Sequence, residues 1–142
     1  MRCIMSTIGG SNSNSLLPYI DYEALKSDPK IIIGYSDVTA ILLAIYAKTG
    51  VQTFYGPALV ASFGEFTPFV EDTYHYFEKI LVGETNFPFC VELPNYWTDE
   101  YVKWETQERE KEKRENKWIT VHDGVARGRL IGGNLNTMQA FW

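Results

Sequence analysis

Residues 31–40, Ile-Ile-Ile-Gly-Tyr-Ser-Asp-Val-Thr-Ala, restrict the possible folds of this chain more than any other stretch. A run of β-branched residues suits a strand buried on both faces, and Gly34 ends it. Thr39 to Lys48 follows as an amphipathic run without breakers, and Gly50 stops it. The spacing predicts a strand, a sharp turn and a helix, with Ser36 on the turn. That arrangement lifts a serine hydroxyl off the sheet and puts the next backbone N–H, that of Asp37, at a helix start where an oxyanion can be stabilised. The elbow pattern is incomplete, because the second glycine expected two residues after the serine is Val38. A serine or aspartate before a helix also serves as a plain N-cap. The local residues leave both readings open.

The chain of 142 residues is long enough for one domain with a real core. Its 45% hydrophobic and 15% aromatic content fits a folded protein rather than a disordered one. Net charge is −5 and no basic stripe is visible, which argues against a nucleic-acid surface. No apolar run reaches the length of a membrane span, and the N-terminus lacks the shape of a signal peptide, so no membrane partner and a cytoplasmic location are expected. Cys3 and Cys90 form no metal spacing and no disulfide framework, and are expected to be buried free thiols. With only His75 and His122 besides, no metal site and no cofactor are expected.

Arg2 to Thr7 reads as a strand that runs into the polar loop 8–14, placed where a strand end would meet a ligand. The loop has no lysine in a GxxxxGK pattern and is not a phosphate loop. Asp21 caps a helix from Tyr22 to about Lys26, and Val51 to Tyr55 forms a strand after the Gly50 stop. Strand–helix–strand order argues for parallel pairing. Pro68 opens a helix to about Leu81, on which His75 is solvent-facing. Residues 84–117 change character: Tyr96, Trp97, Tyr101 and Trp104 lie among acids, and Glu105 to Lys117 reads as a solvated helix or mobile loop. Trp118 to Val121 and Val125 to Ile131 flank Asp123-Gly124 as a hairpin, with His122 exposed in its turn. Met138 to Trp142 starts a helix. The expected organisation is 1–83 as part of an α/β nucleophile domain, 84–117 as an aromatic and charged insertion, and 118–142 as a hairpin entering a second β-containing domain.

A serine needs a base to attack at neutral pH, and neither His75 nor His122 is placed to supply one. Either Ser36 is no nucleophile or its partners lie outside this chain. Four blocks bear on the choice: Gly9-Gly10; Leu16 to Tyr22; Pro29 to Asp37; and Gly128 to Leu135. In this order they resemble the LD-carboxypeptidase family of serine peptidases. Ser11 to Pro18, Thr53 to Leu59 and the aromatic insertion at 96–104 look closer still to its microcin C immunity branch.

The resemblance implies an α/β fold with a Rossmann-like parallel sheet, here incomplete, plus the start of a second domain. It implies that Ser36 is the nucleophile, that backbone N–H groups of Asp37 and Gly10 (or Gly9) form the oxyanion hole, and that Asn134 contacts substrate. The family's glutamate and histidine lie downstream of residue 142 and its opening strands precede the Gly9-Gly10 loop. The chain therefore looks like an internal fragment, inactive alone, with an exposed sheet edge or a homodimeric form. Substrates would be small peptides, L,D-linked muropeptides or peptidyl-nucleotides of the microcin C kind. For the last, Tyr96, Trp97 and Trp104 offer stacking faces. The alternative is a non-catalytic α/β module, a degenerate copy that binds an anion or other ligand.

Overall fold

The computed structural model describes residues 1–83, 86, 88–103, 105 and 110–139. They form two compact units, one of residues 1–63 with 130–142 and one of residues 64–129. The first unit is built on a parallel sheet of three strands in sequence order: β1 (Cys3–Met5), β2 (Ile31–Gly34) and β3 (Phe54–Tyr55). Cys3, Ile4 and Met5 lie opposite Ile31, Ile32 and Ile33, while Ile33 and Gly34 lie opposite Phe54 and Tyr55. Helix α1 (Tyr22–Ser27) connects β1 to β2, and α2 (Thr39–Thr49) connects β2 to β3. The expected α/β class with a parallel sheet is therefore observed.

Strand β2 runs down the middle of the sheet, and its successive residues Ile32 and Ile33 are both buried. Side chains alternate across a strand, so both faces of β2 are covered. Ile32 joins Val38, Leu42 and Ile45 in the core, with Tyr22 and Leu25 of α1 and Val51 packed around them. Ile33 presses on Gly56, where a Cβ would stand 2.9 Å from Ile33 Cδ1. Helix α2 differs from the two-faced helix expected. Thr39, Ala40, Leu42 and Ile45 are buried and Ile41, Leu43 and Ala44 half-buried, as in a helix apolar on most sides and sunk into a core.

The capping signals act as their residue types require. Asp21 Oδ1 accepts the Ala24 N–H at 2.9 Å. Gly50 takes φ 74° and donates its N–H to Tyr46 C=O at 2.8 Å, a left-handed stop that a glycine adopts without a Cβ clash. Strand β3 is shorter than the expected Val51 to Tyr55. The Val51 N–H goes to Thr49 Oγ1 at 3.0 Å and the Thr53 hydroxyl to Leu42 C=O at 3.1 Å, so this segment is tied to α2 rather than to the sheet. Beyond β3, the π-helical turn Leu59–Phe63 returns to β1: the Leu59 and Val60 N–H groups donate to Ser6 and Thr7 C=O.

Cys3 and Cys90 are free, as expected, but exposed rather than buried. Cys3 stands on β1, an outer strand of the three, where a side chain has a neighbouring strand on one side only.

In the second unit, α3 (Phe69–Phe77) continues through a π-helical turn, Glu78–Val82, to Gly83. His75 is exposed and stands edge-on to the Tyr76 ring at 5.2 Å. The Tyr76 hydroxyl donates to Glu92 C=O at 2.7 Å; desolvation, with the charges of Glu92 and Asp72, raises its pKa.

The charged stretch behaves differently from the expected solvated helix or mobile loop. Arg114–Glu115 forms a strand, β5, antiparallel to β4 (Tyr96–Trp97). Arg114 lies 5.3 Å over the Trp97 ring and pairs with Asp99 at 3.1 Å, so cation–π and ion-pair contacts hold the short ladder. Lys111 and Glu65 form an ion pair with both side chains mostly buried. Glu110 accepts from Thr67 and pairs with Lys113, which lowers its pKa.

The expected hairpin at 118–131 is absent among the described residues. Trp118, Ile119, Val121 and Val125 are all exposed, and an isolated two-stranded hairpin with no apolar surface to pack on is marginal in water. His122 is exposed, as expected.

Candidate active site

The sharp turn after β2 is held from several sides. Tyr35 is extended, and Ser36 then takes φ 56°, the only positive φ of a non-glycine among the described residues. A short 3-10 turn, Ser36–Val38, leads directly into α2. Gly34 makes the turn sterically possible: a Cβ there would lie 2.5 Å from Ser6 Oγ and 2.9 Å from Val38 Cγ1. An L-residue in the left-handed region is strained, and such strain persists only where surrounding structure enforces it.

That structure can be named. The Ser36 N–H donates to the Tyr55 hydroxyl at 3.3 Å, and the Thr39 hydroxyl donates to Ser36 C=O at 2.6 Å. Gly9 lies directly against Ser36, since a Cβ on it would stand 2.8 Å from Ser36 Cβ and 3.0 Å from Oγ. The Asp37 carboxylate accepts the Ser13 N–H at 2.7 Å and thereby anchors the loop after Gly10 to the elbow. The third segment is the final helical turn, Leu135–Met138, capped by Asn134, whose Oδ1 accepts the Thr137 N–H at 3.0 Å.

These segments enclose an open pocket of about 360 Å³. Gly10, Ser11 and Asn14 line it from the loop, Ser36 and Asp37 from the elbow, and Asn134, Asn136 and Thr137 from the final turn. Among the described residues Ser36 Oγ has no hydrogen-bond partner, and the first N–H groups of a helical run lack intrahelical acceptors. The pocket thus offers a hydroxyl, unpaired donors and amide groups at one point. It carries a carboxylate and no cationic side chain.

Four residues singled out in the sequence, Ser36, Asp37, Gly10 and Asn134, come together here. Ser11, Asn14, Asn136 and Thr137 were not singled out individually, although the polar loop 8–14 was marked as a place for a ligand. Tyr96 and Trp97 belong to the other unit, where both are partly exposed and Arg114 covers one face of Trp97. Trp104 lies outside the described residues. Among the described residues no cluster of His, Cys, Asp or Glu could hold a metal, and no helix is long and apolar enough to cross a membrane.

Residues 1–56 match the model of the LD-carboxypeptidase N-terminal domain. The chain is similar to the LD-carboxypeptidase family over these residues. Among similar proteins, one from Vibrio cholerae named "Putative carboxypeptidase" is 61% identical over 142 residues, covering all of this chain and 42% of the relative. The microcin C7 self-immunity protein MccF of Escherichia coli is 53% identical over 144 residues, again with all of this chain and 42% of the relative. A Bacillus subtilis protein named "Probable murein peptide carboxypeptidase" is 28% identical over 99% of this chain and 36% of its own length.

Solved structures agree. Wild-type MccF without ligand superposes with a TM-score of 0.92 at 52% identity, covering all of this chain and 43% of that one. An MccF-like protein from Bacillus anthracis gives 0.85 at 38% identity, over 97% of this chain and 40% of that one. MccF has been solved with aspartyl sulfamoyl adenosine, and a Trp-to-Phe variant of it with adenosine monophosphate. An MccF variant described as an active-site mutant has a serine, an asparagine and a lysine replaced by alanine. This chain thus spans about 42% of the length of the first two relatives.

Proposed function

We propose that, in the whole protein, Ser36 is the nucleophile of a serine carboxypeptidase of the LD-carboxypeptidase and microcin C immunity type. The observation that carries the reading is the left-handed Ser36 on the turn between β2 and α2, with its hydroxyl on a polar pocket. Ser36 Oγ attacks an amide carbonyl next to a terminal residue and passes its proton to a base. The C–N bond then breaks, the amine leaves with a proton, and an acyl-enzyme remains. Water attacks that ester, releases the acid and restores the hydroxyl. The backbone N–H groups of Asp37 and Gly10 stabilise the oxyanion. Gly10, rather than Gly9, lines the pocket, which supports it as the second donor.

The base is a histidine oriented by a glutamate, both contributed by residues beyond 142. His75 and His122 stand exposed in the other unit, which supports an external base. Residues 1–142 alone therefore hydrolyse substrate far more slowly than the whole protein, since a triad stripped of members keeps only a small residual rate. Asn134 contacts substrate through Nδ2, its Oδ1 being engaged in the cap. The MccF variant that lacks a serine and an asparagine of its active site supports these two residue types.

The substrate class proposed is a peptidyl- or aminoacyl-nucleotide, supported by the nucleoside ligands of MccF. Murein peptides are the competing class, favoured by the name of the Bacillus subtilis relative. Tyr96, Trp97 and Trp104 supply stacking faces for the base. Trp104→Ala in the whole protein is expected to weaken turnover of the nucleotide substrate while sparing simple dipeptides, and equal loss on both would exclude the assignment. The exposed free thiols Cys3 and Cys90 support a reducing, cytoplasmic compartment, and the half-exposed Ile4 on β1 supports a homodimer. An inert anion-binding copy is less well supported, because the pocket presents the Asp37 carboxylate to an incoming anion.

The deciding experiment is covalent labelling by a fluorophosphonate, read by intact mass. Labelling of the whole protein that is lost in Ser36→Ala is the expected result. A folded whole protein that does not react would leave Ser36 as a helix cap.

A further inference from the structure

Thr39 is the one buried polar residue among the described core, fully shielded from solvent at the first position of α2. Its hydroxyl makes two bonds to distant backbone. It donates to Ser36 C=O at 2.6 Å and accepts the Asn134 N–H at 2.9 Å, across 95 residues of sequence. A hydroxyl can do both at once, and no apolar side chain can do either.

We infer that Thr39 is a positioning residue of the Ser36 site: its hydroxyl ties the strained elbow to the Asn134 backbone and fixes the spacing between them. The inference rests on the reading of Ser36 as nucleophile and goes beyond it. Three features support it. The carbonyl that receives the bond belongs to the residue held at φ 56°, so the bond acts on the strained peptide itself. The amide that donates belongs to the residue whose side chain caps the final turn and lines the pocket, so the same bond places Asn136 and Thr137 as well. Finally, Gly133 lies so close to Thr39 that a Cβ on it would run into Thr39 Cγ2 and stand 2.9 Å from Oγ1. A side chain at 133 would push the two segments apart.

The hydroxyl and the methyl have separate tasks. Valine would fill the same space but take this acceptor from the Asn134 N–H and leave the Ser36 C=O with the Thr39 backbone N–H alone. Serine would keep both bonds and lose the methyl that packs on Gly133 and restricts χ1. Thr39 does not line the pocket and takes no proton from substrate.

The test compares wild type, Thr39→Val and Thr39→Ser in the whole protein, well below the unfolding midpoint of each. Two quantities are read: the rate of fluorophosphonate acylation at Ser36 and the exchange rate of the Asn134 amide. Thr39→Val is expected to slow acylation at least tenfold and to speed Asn134 exchange at least tenfold. Thr39→Ser is expected to restore both to within about threefold of wild type. Wild-type acylation in Thr39→Val, or equal damage in both variants, would overturn the inference, because a purely structural threonine would change the unfolding midpoint and not the rate. Should Thr39→Val not fold, Gly133→Ala takes its place, with the hydroxyl kept but displaced and the same two losses expected. If wild type itself fails to react, the nucleophile reading falls, and the tether is judged by Asn134 exchange, which overturns it if that amide is unprotected.

Discussion

Replacing Ser36 by glycine should stabilise the protein while removing its proposed chemistry. Ser36 sits at φ 56°, where an L-residue pays about 1–2 kcal/mol that glycine does not. Glycine loses more backbone entropy on folding, about 0.5–1 kcal/mol. The suitable reference is Ser36→Ala, which loses the hydroxyl but keeps the Cβ. Since Ser36 Oγ has no partner among the described residues, Ser36→Ala should lie within about 0.5 kcal/mol of wild type. Ser36→Gly should then exceed Ser36→Ala by roughly 0.5–1 kcal/mol. At an m-value of about 2 kcal/mol/M this moves the urea midpoint up by about 0.25–0.5 M. The assay is urea unfolding followed at backbone amides of Ala40 and Ile45, which report the unit that contains the elbow. A Ser36→Gly midpoint at or below that of Ser36→Ala would refute the claim that this turn is strained.

Three further outcomes are expected. Gly34→Ala forces a Cβ against Ser6 and Val38 and should cost about 1–3 kcal/mol, read as a lower urea midpoint with an unchanged m-value. Lys111→Met removes one partner of a mostly buried ion pair and leaves the Glu65 charge uncompensated, at a cost of about 3 kcal/mol to the second unit by thermal unfolding. The Glu110 carboxyl is held below its ordinary range by its hydrogen bonds to Lys113 and Thr67. Its contribution is therefore present above the unfolded carboxylate pKa and lost as pH falls through the lower folded value, which an NMR titration of the Glu110 side chain would show as a midpoint below the usual glutamate range.

The elements that frame the site were legible because local chemistry specifies them. Three β-branched residues before Gly34, the Asp21 cap and the Gly50 stop each act within a few residues of themselves. Ser36 was legible as a turn residue for the same reason. What was not legible depends on distant partners. Nothing near Thr39 announces a hydroxyl shared with Asn134, and helix-start threonines are ordinary. The Arg114–Glu115 strand was hidden because a run of charges carries no period-two apolar signal; a stacked Trp97 and an ion pair with Asp99 hold it instead. The opposite error occurred at 118–131. There alternation and an Asp-Gly turn promised a hairpin, but no apolar surface covers Trp118 or Val125 to hold one.

The long reach of the Thr39 bond also sets a schedule. A ribosome adds about 5–20 residues per second, so roughly 5–20 s pass between synthesis of Thr39 and of Asn134, which are 95 positions apart. During that interval the sheet and α2 can form, but the elbow carries its serine with one wall of the pocket still unmade. On the proposed reading of Ser36 as nucleophile, the serine is thus made seconds before the Asn134 turn that completes its pocket.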